Sequence, residues 1–307
     1  MILIGGENLI DFIEDETGRF TANPGGGPFN IAKALARQEQ AVGYLTPISV
    51  DEMGDRLAAD LVDSGVTLLA ERSPAPSSLA LVTLDNGQPK YQFYRQKTAE
   101  RRVTLTLLNR IIPKQATAMQ LGSLALTSGK DAEAWAQMFV AFHKRGKFTS
   151  LDPNIRPAFI KNRRKYMARL EWALAHTDLL KLSDEDLAWI APKQAPEAAA
   201  ATLQASYNIP FVVLTKGAEG AMGFHKTGLI EAPASKAEPF VDAVGAGDTF
   251  MGTLLAQLAE HGLLTHDALH DAAPKTLRDS LAMATKAAAI NCTRSGCNPP
   301  RKAELLA

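Results

Sequence analysis

The sequence predicts an α/β fold: a mostly parallel sheet covered by helices on both faces, with a small β flap beside it. Two observations carry this. The middle and C-terminal parts alternate near-continuous apolar runs with longer amphipathic ones, the pattern of strands buried on both faces between helices. Two other stretches, Leu9–Ala22 and Leu68–Gln96, show alternating strand patterns with little helix between them, which does not suit a parallel sheet. At 307 residues, with 46% hydrophobic and 21% charged side chains, the chain suits one large domain with a sizeable core.

The apolar runs Ala118–Leu124, Lys147–Leu151, Leu179–Leu182 and Phe211–Thr215 are the expected core strands. Ser128–His143, Pro157–Ala175 and Glu197–Tyr207 are the expected helices between them. Within the flap, Leu79–Leu84 and Tyr91–Gln96 flank Asp85-Asn86-Gly87-Gln88-Pro89-Lys90, a connection rich in turn residues that predicts a hairpin. The opening residues MILIGGENLI read as a first core strand rather than as a secretory signal, which would begin with basic residues.

Charge excludes some functions. Basic and acidic residues balance at 33 each, and no Lys/Arg cluster stands out, so neither nucleic acid nor an anionic membrane is an expected partner. No run approaches the roughly 18 apolar residues of a membrane span. Two cysteines are too few for a disulfide framework, and a cytoplasmic location is expected.

The chemistry concentrates in Val241-Asp242-Ala243-Val244-Gly245-Ala246-Gly247-Asp248-Thr249-Phe250, which runs into the helical pattern Met251–Glu260 closed by Gly262. Gly245 and Gly247 let the backbone bring its N–H groups close to a ligand, and a helix starting there makes an anion site. Asp248 would repel an anion directly. It fits if a substrate hydroxyl lies between carboxylate and phosphoryl group and gives Asp248 its proton. A lone Gly-x-Gly-Asp could equally be a glycine turn with a capping Asp.

A second cluster, Asn23-Pro24-Gly25-Gly26-Gly27-Pro28-Phe29-Asn30, runs into the helix Ile31–Arg37, with Pro28 suited to the first turn. Asn30 can donate to and accept from hydroxyls. The cluster approaches a dinucleotide fingerprint, but Asn30 stands where the packing glycine belongs, and no Walker A sequence occurs.

The ten-residue string around Gly245-Ala246-Gly247-Asp248 closely resembles the C-terminal signature of the ribokinase-like (PfkB) carbohydrate kinases. The cluster around Gly26 and Asn30 resembles their N-terminal signature. The resemblance follows family order along nearly the whole chain and implies a single domain, a three-layer α/β/α sandwich with a β lid formed by about 9–22 and 68–97. It implies an ATP-dependent sugar kinase with Mg2+ and K+ as ions, and room for a homodimer through the lid. Gly6–Asp11 resembles the opening strand whose Asp binds sugar hydroxyls. Asp152-Pro153-Asn154-Ile155-Arg156-Pro157 resembles the active-site turn of fructokinases and 2-keto-3-deoxygluconate kinases. The implied sugar site comprises Asp11, Gly26, Gly27, Asn30, Arg95, Asn154, Arg156 and Asp248. The implied ATP site comprises Lys181, Ser183, Thr215, Lys216, Gly217, Gly220, Gly245, Gly247 and Asn298. The N–H groups of Ala246, Gly247 and Asp248 are expected to hold developing charge.

Asp186 is the expected magnesium residue, through water, although Ser183 and Asp186 replace the family's usual Asn and Glu. Asp242 is the expected monovalent-cation ligand. The motif wording is closest to bacterial fructokinases, so D-fructose is the expected acceptor. The alternative 2-keto-3-deoxygluconate carries a carboxylate that Arg95 or Arg156 could bind. His266 and His270, the three tryptophans and Lys161–Lys165 read as solvated or packing residues, and Cys297 as a packing residue.

Overall fold

Along the first strand Ile2 and Ile4 enter one hydrophobic cluster while Leu3 enters another, and all three are buried. The same division recurs on two further strands: Leu179, Phe211 and Val213 join the first cluster, and Leu180, Leu182, Val212 and Leu214 the second. A sheet buried on both faces requires such strands, and the chain supplies them. The computed structural model describes residues 1–14, 17–85 and 88–306.

The strands are β1 (Ile2–Gly5), β2 (Leu9–Glu14), β3 (Phe20–Gly25), β4 (Val42–Tyr44), β5 (Thr67–Leu68), β6 (Leu79–Asp85) and β7 (Gln88–Tyr94), then β8 (Ala118–Gly122), β9 (Phe148–Asp152), β10 (Leu179–Ser183), β11 (Phe211–Thr215), β12 (Ala221–His225) and β13 (Gly228–Ala232). The main sheet runs β13-β12-β11-β10-β9-β8-β1-β4-β5, parallel except for the antiparallel pairings of β12 and β13 at one edge. The second sheet runs β3-β2-β6-β7.

The helices are α1 (Gly27–Arg37), α2 (Glu52–Asp63), α3 (Leu105–Ile111), α4 (Lys130–Lys144), α5 (Arg163–Leu174), α6 (Asp184–Ile190), α7 (Pro196–Tyr207), α8 (Ala246–Glu260), α9 (His266–His270), α10 (Pro274–Cys292) and α11 (Lys302–Leu306). Leu35 of α1, Leu61 of α2, Leu254 of α8 and Leu281 of α10 belong to the first cluster. Leu108 of α3, Phe139 of α4, Leu170 of α5, Leu187 of α6 and Ala200 of α7 belong to the second. The result is the expected three-layer α/β/α sandwich with a separate small sheet. Helices α1 and α8 come unusually close because Gly252 has no side chain. A Cβ there would lie 2.6 Å from the Ala34 Cβ and 2.9 Å from the Ile31 carbonyl oxygen.

Several boundaries differ from expectation. Thr67–Leu68 pairs with β4 and so extends the main sheet, which leaves the second sheet, the expected lid, to 9–25 and 79–94. The lid's two hairpins join through a parallel β2–β6 pairing, so it is mixed in direction. Its strands run to Asp85 and from Gln88, and Pro89 falls on the edge strand β7, where a missing N–H costs no ladder bond. The predicted turn residues Asn86 and Gly87 lie outside the described residues.

The helix expected from Pro157 begins at Arg163, because Asn162 caps it by accepting from the Lys165 N–H at 2.9 Å. Pro157–Phe159 forms only a 3₁₀ turn. The strand expected to reach Leu124 stops at Gly122, after which Ser123 takes a left-handed conformation, φ 51°. His266, its side chain still largely in solvent, also reaches the buried Asp178 at 2.8 Å. Trp135 is buried against β1, and Trp189 packs on Tyr166, whereas Trp172 is exposed. Among the described residues, no helix is long and apolar enough to cross a membrane.

Candidate active site

The C-terminal ends of the parallel strands and the N-terminal ends of α1 and α8 meet at one place, where ligands of open α/β sheets bind. Asn30, in the first turns of α1, donates from Nδ2 to Oδ2 of Asp248 in the first turn of α8, at 2.8 Å. Both residues are buried. Burial pushes the Asp248 carboxyl up to about 7, while the Asn30 hydrogen bond opposes that rise, as do the charges of Lys181 and Arg156. Asp152 adds to it. Asp248 is therefore poised near neutrality, ionised above about pH 7 and protonated below.

Gly245 heads α8 with φ 74°, and a Cβ there would strike the Cys297 sulfur at 2.3 Å. The C-terminal loop thus closes directly on the glycine turn, and burial pushes the Cys297 thiol up to about 12, as suits a packing residue. The Ala246 N–H donates to the Ala243 carbonyl at 3.1 Å, so this donor is already used. That corrects the expectation of three open donors: Gly247 and Asp248 supply the helix-end N–H groups without an acceptor among the described residues.

On the other side of the glycine turn, Lys181 Nζ lies 3.3 Å from where a Gly247 Cβ would sit and 3.0 Å from Asp152 Oδ2. Burial would depress the ammonium, but Asp152 and Asp186 outweigh it and raise the Lys181 pKa. Asp186, the expected magnesium residue, uses both oxygens to hold neighbouring groups. Its Oδ1 accepts from the Ile155 N–H at 2.6 Å, and Oδ2 accepts from the Ser183 N–H and hydroxyl at 2.9 and 3.0 Å. Ser183 and Asp186 form the capping box of α6, and through Ile155 that cap holds the active-site turn. Asp152 Oδ1, by contrast, is buried with no partner. It is the better candidate to hold a divalent cation, directly or through water, since an orphan carboxylate oxygen is costly unless something binds it.

Thr215 ends β11 and donates to the Leu182 carbonyl at 3.2 Å, and Gly217 and Gly220 shape the connection to β12. Lys216 pairs with Glu197 and Glu219 at 3.0 and 2.9 Å on the surface. Asn298 accepts from the Arg37 guanidinium at Oδ1 and donates its N–H to Asn291 Oδ1. Asp242 accepts the Val244 and Gly296 N–H groups, one on each oxygen, both at 2.9 Å. Asn291, fully buried, donates to the Val244 carbonyl at 2.8 Å. Asp242 and Asn291 together stitch the glycine turn to the C-terminal loop.

The lid side brings in Asp11, half-buried on β2, whose carboxyl is pushed up to about 6 by burial and by the Glu7 charge. Asn154 adopts φ 39°, and its Nδ2 lies 2.9 Å from where a Gly27 Cβ would sit; Asp248 Oδ1 and the Ser123 Cβ are each 3.4 Å from that point. Arg156 is exposed, and its charge acts on Asp11, Asp152 and Asp248. Arg95 is different. It is buried in a two-point ion pair with Glu100, at 2.8 and 3.1 Å, with its guanidinium over the Phe159 ring.

Residues 1–304 match the pfkB family carbohydrate kinase profile. The chain belongs to this family. A fructokinase of Rhizobium leguminosarum bv. trifolii is 37% identical over 270 residues, 86% of this chain and 82% of that one. The fructokinase of Escherichia coli is 28% identical over 296 residues, 95% of this chain and 92% of its own. Among solved structures, the fructokinase of Xylella fastidiosa with bound ATP superposes with a TM-score of 0.85 at 26% identity, covering 99% of this chain and 96% of that one.

Within the PfkB frame, Asn154, Asp248 and Ser123 surround Gly27, Asn30 bonds Asp248, Asp11 stands against Gly25 and Lys181 lies beside Gly247, whereas the Asn298 side chain reaches Arg37 at the far end of α1. The structure turns Lys216 outward and seals Arg95. Three residues with a visible place here escaped the sequence reading: Glu7, Asp152 and Asn291. Glu7 and Asp152 stand inside the motifs quoted above, whereas Asn291 has no local signal, since its partners lie 47 and 7 positions away. The Asn30–Asp248 bond yields a direct test. Replacing Asn30 by Ala removes a hydrogen bond to the ionised carboxylate, so the Asp248 carboxyl should titrate above the wild-type midpoint of about 7 when followed by ¹³C NMR. An unchanged midpoint would show that the bond does not hold in solution.

Proposed function

We propose that this PfkB kinase transfers the γ-phosphoryl group of ATP to a hydroxyl of D-fructose, with Asp248 as the base. The observation that carries the chemistry is a buried carboxylate tuned near neutrality at the open end of α8. A hydroxyl placed between Asp248 Oδ1 and the phosphoryl group would pass its proton to Asp248 as its oxygen attacks phosphorus, and ADP would leave. The free N–H groups of Gly247 and Asp248, together with the Lys181 ammonium, are placed to meet charge that develops on the transferred group. The Asp152 carboxylate would hold Mg2+, which when bound neutralises phosphate charge. Closure of the β3-β2-β6-β7 sheet over the sugar would keep water from competing as nucleophile.

The acceptor follows from charge. Fructose needs hydroxyl partners, which Asp11, Asn30 and Asn154 supply. A sugar acid needs an uncommitted cation: Arg95 is already neutralised by Glu100, which leaves only the exposed Arg156, bonded to the Asn154 and Ile155 carbonyls. Glu7 and Asp11 add negative charge near the same place. The names of the relatives agree with a neutral ketose, and one solved neighbour is described as a Vibrio cholerae fructokinase with fructose, ADP and calcium bound. The sealed pair also changes what an Arg95 variant can report. Truncating Arg95 would strand a buried Glu100 and cost about 3–5 kcal/mol of stability whatever the substrate.

Two measurements test the proposal. Asp248→Asn keeps the shape and removes the base, so kcat should fall by roughly 10²–10⁴-fold with modest change in KM. A variant that keeps more than about a third of kcat would remove Asp248 from the mechanism. For the acceptor, wild-type kcat/KM for fructose should exceed that for 2-keto-3-deoxygluconate by about tenfold or more, since Glu7 and Asp11 repel a carboxylate that only the exposed Arg156 could pair. The reverse ratio would overturn the assignment to fructose.

A further inference from the structure

Glu7 is almost completely buried, yet no substrate contact requires it. Its backbone is pinned from the β4 side: the Tyr44 hydroxyl bonds the Glu7 carbonyl at 3.0 Å, and Thr46 Oγ1 donates to the Gly6 carbonyl at 2.6 Å. From this anchored point the side chain bridges two segments. Oε1 accepts from the Gly27 N–H at 3.2 Å, and Oε2 accepts from the Leu124 N–H at 3.0 Å.

Those two amides flank the acceptor site. Gly27 faces Asn154, Asp248 and Ser123, and Leu124 follows the left-handed Ser123 at the end of β8. Leu124 also packs with Leu9 and Ala80 of the lid. One carboxylate therefore sets the spacing between the start of α1 and the end of β8. No neutral side chain of this length does the same. A glutamine offers one acceptor oxygen and points an NH₂ donor at the other N–H, and an apolar residue leaves both N–H groups buried and unsatisfied. Two N–H bonds to one carboxylate favour its charged form, although burial outweighs them and raises the Glu7 pKa.

That charge is felt by Asp11. The charged groups that act on Asp11 are Glu7, which repels its ionised form, and Arg156, which favours it. Around Glu7 itself stand Arg95 and Glu100, already paired with each other. We propose that Glu7 is a positioning residue of the acceptor-sugar site: it fixes the Gly27 and Leu124 amides on two sides of the site, and its charge governs the Asp11 carboxylate that receives the sugar hydroxyls. This inference rests on the fructokinase reading above.

The test is fructose binding without ATP, by calorimetry from pH 5 to 8, in an Asp248→Asn background that removes the second titrating carboxyl. In this parent, affinity should be present above about pH 6 and lost below it, as Asp11 becomes protonated. Adding Glu7→Gln should weaken fructose binding about tenfold at pH 8 through the lost charge-assisted bonds, and should move the acid loss to lower pH. ATP affinity should stay within about twofold. Glu7→Ala, which puts no donor against either N–H, carries the same expected shift and serves if the Gln variant fails to fold. A fructose affinity within twofold of the parent with an unmoved midpoint would overturn the proposal. So would an equal loss of fructose and ATP affinity, which is the mark of a general support of the fold. Failure of the parent to bind fructose at all would overturn the fructokinase reading instead.

Discussion

The hydrogen bond from Asn30 to Asp248 joins the first turns of two helices, and much of the architecture serves to bring those turns together. Helices α1 and α8 share one face of the main sheet and approach closely only because Gly252 carries no side chain. Their axes then deliver two positive dipole ends to the same point. A buried aspartate is costly there in isolation. One neutral amide, one ammonium and one guanidinium, from Asn30, Lys181 and Arg156, offset part of that cost without fully ionising the group. A base near neutrality results from incomplete compensation, and stronger pairing would have made Asp248 a weaker proton acceptor.

The surrounding carboxylates divide the remaining work. Asp186 is consumed in capping α6 and holding Ile155, so it stabilises the turn that presents Asn154. Asp242 joins the glycine turn to the C-terminal loop. Glu100 neutralises Arg95. Asp152 alone among these keeps a buried oxygen without a partner. Similar side chains thus differ in role according to how many backbone N–H groups reach them, which residue type does not reveal.

The sandwich was legible because buried parallel strands leave continuous apolar runs, and the glycine turn was legible because close backbone approach admits few other residues. Asp248 could be singled out since an acid inside an anion site needs a reason. Less was readable where the decisive partner is distant in sequence. Nothing near Arg95 discloses that Glu100, five residues on, folds back beneath it, nor that Ser78 and Thr98 complete that buried group. The glycine turn suggests three open donors, but Ala246 bonds locally to Ala243, a matter of dihedral angles rather than of composition. The sequence points to a helix start at Pro157, but Pro157 also permits a single 3₁₀ turn, and Asn162 caps the helix that begins at Arg163.

The central claim is that Asp248 must be ionised in the form that takes up fructose for phosphoryl transfer to occur. The most direct measurement is the pH dependence of kcat/KM for fructose at saturating magnesium and ATP. An acid limb with a midpoint near pH 7 is predicted, with activity present above it and lost below as Asp248 takes up a proton. A kcat/KM that stays flat from pH 8 down to pH 5.5 would contradict the account.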